Sequence, residues 1–378
     1  MSKQINVGVI GGGLMGREVA SAFGRWFALS ESNVNPSLVA VADVNNDALS
    51  WFESVSSCTI LTGDYKELLQ TPDIDVVYVA VPHNLHEKIY IDVLESGKDL
   101  LAEKPFGIDI ESADKIVNKI NETKRFVRCS SEFPYFPGAL RVYNAAKSGA
   151  FGRILEVRSG FHHSSDLDPE KPANWKRQSA TCGEIGVLGD LGMHVCHIPF
   201  RLGWMPKSVY AQLQKGYAER PGGICDTWDN AMLHTWVDIE GSGQVPMRLE
   251  MKRLAPGETD TWFIEILGTD GGAKFSTKEP RTVWTFSRNS EQKWSRVDIG
   301  FDTSFKTITG GIFEPGFPDV LMQMWAAFFA EREGKLGDHF GCVTPEEAFY
   351  SHQVFKAALD SQNLNQTITI ANLSLIHI

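Results

Sequence analysis

Several things this chain lacks limit what it can be. It has no C-x-x-C pair: its six cysteines, Cys58, Cys129, Cys182, Cys196, Cys225 and Cys342, are scattered over 378 residues. That scatter argues against a disulfide framework and suits free, buried thiols in a reducing compartment, the cytoplasm. No basic block appears and the formal net charge is -11, so nucleic acid and anionic membrane are poor partners. No stretch of ~18 apolar residues exists to span a bilayer. The opening MSKQINVGVIGGGLMG is broken by glycines and has no small-residue cleavage site, so it does not read as a signal peptide. Internal repeats and low-complexity tracts are also missing.

What is present is ordinary for a globular protein: 43% hydrophobic and 22% charged residues. At roughly 100–200 residues per domain, the length suggests two domains. The first third alternates. Short β-rich runs at 5–10, 38–42, 75–81, 100–102 and 126–129 are separated by helix-like segments at 15–27, 46–54, 65–70, 86–96 and 110–122. Near-continuous apolar strands alternating with helices predict a parallel sheet covered on both faces.

After about residue 130 the rhythm changes. A helical stretch, 137–148, is followed by the β runs ILEVRSGFHH, SVYAQLQ, NAMLHTWVDI, VPMRLEMKR, WFIEILG and GAKFST. The GTDGG between the last two is a hairpin-type turn signal. This predicts a mostly antiparallel sheet, closed by helices at 319–333 and 345–361. The expected division is 1–129 and 130–378, an α/β architecture. The apolar tail ANLSLIHI is expected to add an edge strand or to meet another subunit.

In VGVIGGGLMGREVA, Gly11, Gly13 and Gly16 stand in G-x-G-x-x-G register between a strand and a helix. The first glycine permits the tight turn, the second lets a pyrophosphate approach the backbone, and the third lets the helix pack on the strand. The next strand, LVAVAD, ends in Asp43. An acid there accepts hydrogen bonds from ribose hydroxyls and repels a 2'-phosphate, which favours NAD over NADP. Asn45 and Asn46 leave NADP possible. The alternative is a glycine-rich turn beside a surface acid.

Carboxyl ends of strands line the ligand crevice of an open parallel sheet. VAVPHNLHEKI and LLAEKP therefore bring Val81, Pro82, His83, His86, Glu103 and Lys104 to the cofactor rim, with Leu14 and Met15 in the glycine turn. Further on, GVLGDLGMHVCHIPFRLG carries Asp190 and His194 at i, i+4, on one side of a helix. A carboxylate one turn from a histidine can hold its tautomer and stabilise its imidazolium. A structural histidine and a helix-capping aspartate remain the competing reading. A zinc site from His194, His197 and a nearby cysteine is disfavoured, because a helical Cys196 points away from His194 and no compact ligand pattern appears; no metal is expected.

At this point the chain resembles a family: the glucose–fructose oxidoreductase, inositol dehydrogenase and MocA group of nicotinamide-dependent enzymes. The pieces that carry the resemblance are GVIGGGLMG, VADVN, VAVPHNLH, AEKPFG, SGAFGRI, GDLGMHVCH and EILGTDGGAKF, in family order over nearly the whole chain. The resemblance implies a Rossmann domain followed by an α/β domain with a large open sheet, through which a homodimer or homotetramer assembles. It implies Lys104, Asp190 and His194 as the catalytic group of an NAD-dependent dehydrogenase or reductase of a sugar, inositol or sugar derivative. His163, Trp175 and Arg177 are candidate sugar contacts, with packing and surface solvation as the alternative. A glycosidase acting through transient oxidation by bound NAD and a non-catalytic dinucleotide sensor are the other classes. Two departures stand out: GEIG replaces a glycine pair ahead of the aspartate motif, and SEFPYFP replaces the family's N-R-R region. A cis Lys104–Pro105 bond is also expected from the E-K-P turn.

Overall fold

Strand β1 (Lys3–Ile10) runs into the glycine turn and helix α1 (Leu14–Gly24). Every strand of the sheet it begins is parallel. The structure is a computed structural model that describes residues 2–290 and 292–370. From β1 the chain continues through β2 (Val34–Ala42), α2 (Asn46–Trp51), β3 (Ile60–Thr62), α3 (Tyr65–Gln70), β4 (Val76–Val79), α4 (His86–Glu95), β5 (Asp99–Ala102), α5 (Ile110–Thr123) and β6 (Val127–Cys129). The sheet order is β3-β2-β1-β4-β5-β6. Order reverses between β1 and β4, which opens a crevice at their carboxyl ends. The residues that make this sheet are apolar on both faces: Val7, Val9, Val76, Val77, Val79, Leu100 and Leu101 have no exposed surface. Strand β3 was not anticipated; three residues at a sheet edge, two half-buried and Thr62 buried, leave no periodicity to read.

The chain divides into two compact units. The first is Met1–Gly107, Glu111–Tyr135 and Asp302–Pro345; the second is Ile108–Ile110, Phe136–Phe301 and Glu346–Ile378. The sequence assigns all of 130–378 to one second domain. The structure instead returns 302–345 to the first unit. The cause is the helix Phe317–Arg332, whose Trp325 meets Phe23 of α1 at 4.9 Å and Tyr78 of β4 at 5.7 Å, while Phe328 meets Phe126 at 5.3 Å. A helix apolar on every side does not announce which sheet it covers.

In the second unit, α6 (Pro137–Lys147) leads to β7 (Ile154–His162), a short turn α7 (Ser179–Cys182) and the buried helix α8 (Val187–Arg201). Strand β8 (Pro206–Gln214), a small ribbon of β9 (Glu219–Arg220) and β10 (Gly223–Ile224), and then β11 (Asn230–Ile239), β12 (Gly243–Lys252), β13 (Thr261–Gly268), β14 (Gly271–Ser276), β15 (Thr282–Ser287), β16 (Ser295–Asp298) and β17 (Ile368–Thr369) follow. Among the described residues, nine strands form one sheet in the order β16-β15-β14-β13-β7-β12-β11-β8-β17. Among the described strands only β7 and β12 pair in parallel, so the sheet is mostly antiparallel, as expected. Helix α8 packs on one face, where Ser159 Oγ donates to Val195 O at 2.9 Å and Trp262 Nε1 donates to His194 O at 2.9 Å. The other face carries alternating side chains such as Met232, His234, Trp236 and Asp238 of β11, all exposed. The tail ANLSLIHI lies outside the described residues. Among the described residues no helix is long and apolar enough to cross a membrane.

Candidate active site

The glycine turn fits a dinucleotide. Gly11 has φ +104°, and a Cβ there would stand 2.2 Å from Ala80 O. A Cβ on Gly16 would stand 2.4 Å from Gly11 O, so only glycine lets α1 close on the turn. Gly13 faces open space, the cradle a diphosphate fills, and Leu14 is exposed beside it while Met15 is half-buried. Asp43 is pinned at the tip of β2: Gly12 N donates to its Oδ2 at 2.7 Å and Asn45 N to its Oδ1 at 2.8 Å. The acid thus stands against the glycine turn, where ribose hydroxyls belong.

The ends of β4, β5 and β6 form a second cluster in the same unit. Val81 and Pro82 are half-buried at the exit of β4. His83 is buried beside His86, their rings 5.4 Å apart. His86 has no exposed surface. Its Nδ1 lies 2.8 Å from Pro105 O and its Nε2 2.9 Å from Val81 O, and burial lowers its pKa. A neutral imidazole donates to one of these carbonyls. His86 therefore ties the β4 and β5 exits together, a scaffolding place in contrast to the cofactor contact expected for it. Glu103 is likewise turned inward. Its Oε1 accepts from Tyr78 at 2.6 Å and Ser130 at 2.5 Å, and its Oε2 from the Lys104 backbone N–H at 3.2 Å. Lys104 follows, half-buried, with the expected cis bond to Pro105.

Glu132 was not among the expected residues. It is buried in the SEFPYFP stretch after β6. Burial first, then the neighbouring Glu103 carboxylate, push its carboxyl up to about 7, against the pull of the Lys104 ammonium. The signal that pointed here was the departure from the family pattern, whose chemistry the residue type alone did not reveal.

In the second unit, α8 places Asp190 and His194 one turn apart, both buried. Asp190 is held by two cations: Lys176 Nζ lies 2.9 Å from Oδ1, and Arg253 contacts Oδ2 with Nη2 at 3.0 Å and Nε at 3.2 Å. The His194 ring stands edge-on to Phe161 at 5.5 Å. His163 pairs with Asp260 at 3.0 Å, and its ring lies 4.5 Å from Phe161. Trp175 is half-buried beneath the Lys176 ammonium, which stands 5.6 Å from the ring centroid. Arg177 departs from its expected part: it is buried and its guanidinium is ion-paired with Asp166, a brace within the unit. Lys176 and Arg253, two cations paired with Asp190, were missed. Lys176 sits between two residues that were chosen, and Arg253 comes from the end of a strand far along the chain, which no local spacing connects to Asp190.

Comparison with known proteins bears on both units. The profile described as the oxidoreductase family, NAD-binding Rossmann fold, matches residues 5–131, and that of the GFO/IDH/MocA C-terminal domain matches residues 139–274. Levoglucosan dehydrogenase of Pseudarthrobacter phenanthrenivorans is 26% identical over 296 residues, 72% of this chain and 74% of that protein. A solved structure of levoglucosan dehydrogenase in complex with NADH has the same fold, with a TM-score of 0.88 at 23% identity over 98% of this chain and 100% of the other. A glycosyl hydrolase family 109 protein of a Shewanella species is 31% identical over 126 residues, 31% of this chain and 27% of that protein.

Proposed function

The chain belongs to the GFO/IDH/MocA family of oxidoreductases, with an NAD-binding Rossmann domain, and on that premise we propose that it transfers hydride between NAD and a carbohydrate-type alcohol or ketone: a sugar, an inositol or a sugar derivative. The observation that carries the reading is the placement on α8, where His194 follows by one turn an aspartate that is paired with two cations. Bound nicotinamide supplies the hydride acceptor or donor. His194 takes the hydroxyl proton at a ring nitrogen during oxidation, with Asp190 stabilising the charge the ring gains. Lys104 donates a hydrogen bond to the reacting oxygen and balances its developing negative charge. The Asp43 carboxylate, aimed at the glycine turn, supports NAD over NADP.

The test is a substrate panel of inositols, free aldoses, glycosides and levoglucosan, followed by NADH absorbance with NAD and NADP supplied separately. Oxidation of at least one polyol with NAD supports the reading. Absence of NADH formation across the panel, with the cofactor bound, removes it. A second reading has one observation in its favour, the relative named as a glycosyl hydrolase. Release of the aglycone from a glycoside, with no net NADH, identifies that activity. Assembly of two or four copies through the exposed sheet face goes with the dehydrogenase reading. Trp236 and Met232 stand on that face among charged neighbours, and mass by light scattering tests the assembly.

A further inference from the structure

Asp190 has two cationic partners that differ in kind. Arg253 is 2% exposed and lies entirely within the unit, where it also contacts the backbone oxygens of Lys176 and Trp228. One such guanidinium is enough to neutralise a buried carboxylate. Lys176 is a second cation on the other oxygen, and its side chain is 37% exposed. It is not a freely swinging surface chain. Its backbone N–H donates to Asn174 Oδ1 at 3.0 Å, and its carbonyl accepts from Thr227 Oγ1 at 3.0 Å and from Arg253 Nη1 at 3.3 Å. The next residue, Arg177, anchors the turn on Asp166. The turn thus delivers an ammonium to Asp190 and leaves one side of it open.

An ammonium has three N–H donors, of which Asp190 takes one. Of the two cations, it is Lys176 that turns donors outward, since Arg253 is buried. A hydroxyl oxygen fits that demand. The geometry points to Lys176 as a further substrate-binding residue: it holds Asp190 through one N–H, and it donates to a substrate hydroxyl next to the carbon that reacts. The inference rests on the proposed polyol reading of the Asp190–His194 pair and narrows it to substrates that carry a neighbouring hydroxyl.

The experiment compares wild type with Lys176→Met and Lys176→Arg, and with Lys171→Met as a control that removes a lysine of the same loop paired instead with Asp166. Lys176→Met is expected to raise KM for the polyol by about 10–100-fold, the cost of a charge-assisted hydrogen bond. It should also move the acid limb of kcat/KM upward by about one pH unit, because His194, the proposed base, holds its proton more tightly when a neighbouring cation is removed. NADH affinity should not change. Lys176→Arg should restore most of both effects and Lys171→Met should show neither. At a pH above the acid limb of both enzymes, a deoxy substrate lacking the neighbouring hydroxyl should be used equally well by wild type and Lys176→Met. A Lys176→Met enzyme that melts earlier but keeps its KM, acid limb and hydroxyl discrimination would return the lysine to a structural brace and overturn the inference.

A readout independent of turnover separates this inference from the reading beneath it. The protein is produced with 15N-labelled lysine side chains, which leaves all three N–H donors in place, and the Lys176 ammonium signal is assigned by its absence in Lys176→Arg. The signal is expected to move in Asp190→Asn and on adding a polyol of the panel. If no polyol is oxidised yet the signal moves, the dehydrogenase reading fails and the binding role stands. If it does not respond to any polyol, the binding role fails.

Discussion

Arg253 reaches a single oxygen of Asp190 with two nitrogens, at 3.0 and 3.2 Å, and neither residue is more than 5% exposed. Removing one partner of such a pair strands the other charge, at a cost of about 3–5 kcal/mol. Asp190→Asn is therefore expected to lower unfolding stability by about that amount and to reduce turnover less than His194→Ala does. The double variant Asp190→Leu with Arg253→Met should recover much of the stability, since an apolar pair of similar volume replaces a buried ion pair at little net cost. It should not recover turnover. Urea denaturation and kcat for the single and double variants check this; turnover that returned with stability would make Asp190 a structural residue only.

Asp43 is held in place by the Gly12 and Asn45 backbone N–H groups, so its carboxylate keeps one position beside the glycine turn. Asp43→Ser removes the charge that opposes a 2'-phosphate. The ratio of kcat/KM for NAD over NADP should fall by about tenfold or more, equivalent to roughly 1.4 kcal/mol. Steady-state kinetics with both cofactors decide it, and an unchanged ratio would remove the basis of the NAD preference.

The parallel half of the fold was readable because its signals are local. Glycine spacing, an acid at a strand end and apolar runs of strand length all sit within a few residues of one another, and the Asp190–His194 spacing needs only one helix turn. The places where sequence misled are those that distant contacts decide. His86 and Glu103 stand at the rim in sequence, but each finds inward partners, the carbonyls of Val81 and Pro105 for one and Tyr78 and Ser130 for the other. Arg177 looked like a hydroxyl donor until Asp166 took its guanidinium. The Phe317–Arg332 helix joins the first unit because of Phe23, Tyr78 and Phe126, which lie hundreds of residues away.

Glu132 makes a prediction that needs no cofactor. Its folded carboxyl is pushed up to about 7 by burial and by Glu103. An unfolded glutamate has released its proton by about pH 5, so between those values the folded state binds a proton that the unfolded state does not. The contribution is fully present below the unfolded pKa and is lost as pH rises through about 7. Glu132→Gln cannot ionise and escapes that loss. Its stability relative to wild type should rise between pH 5 and pH 8 by about 2–3 kcal/mol. Thermal or urea unfolding of both proteins across that range measures the difference, and parallel pH curves would show that Glu132 does not titrate there.

Lys104 and His194 come from different units of the chain, and a kinetic cycle tests whether they serve one reaction. Lys104→Met keeps most of the stem and removes the charge and its hydrogen bonds. His194→Ala removes the proposed base. Each is expected to lower kcat by about 10²–10⁴, the usual worth of a positioned proton-transfer or charge-stabilising group. NADH affinity, followed by fluorescence, should change by less than about threefold, because neither side chain is assigned to the dinucleotide's phosphates or ribose. Groups that act on the same oxygen in the same transition state are strongly non-additive. The double variant should therefore fall close to the worse single variant. If the two losses multiply, the residues act independently and the shared-oxygen mechanism is wrong. Near-normal turnover in His194→Ala would leave that histidine as a packing partner of Phe161, and retained turnover in Lys104→Met would leave Lys104 as a cation at a strand end.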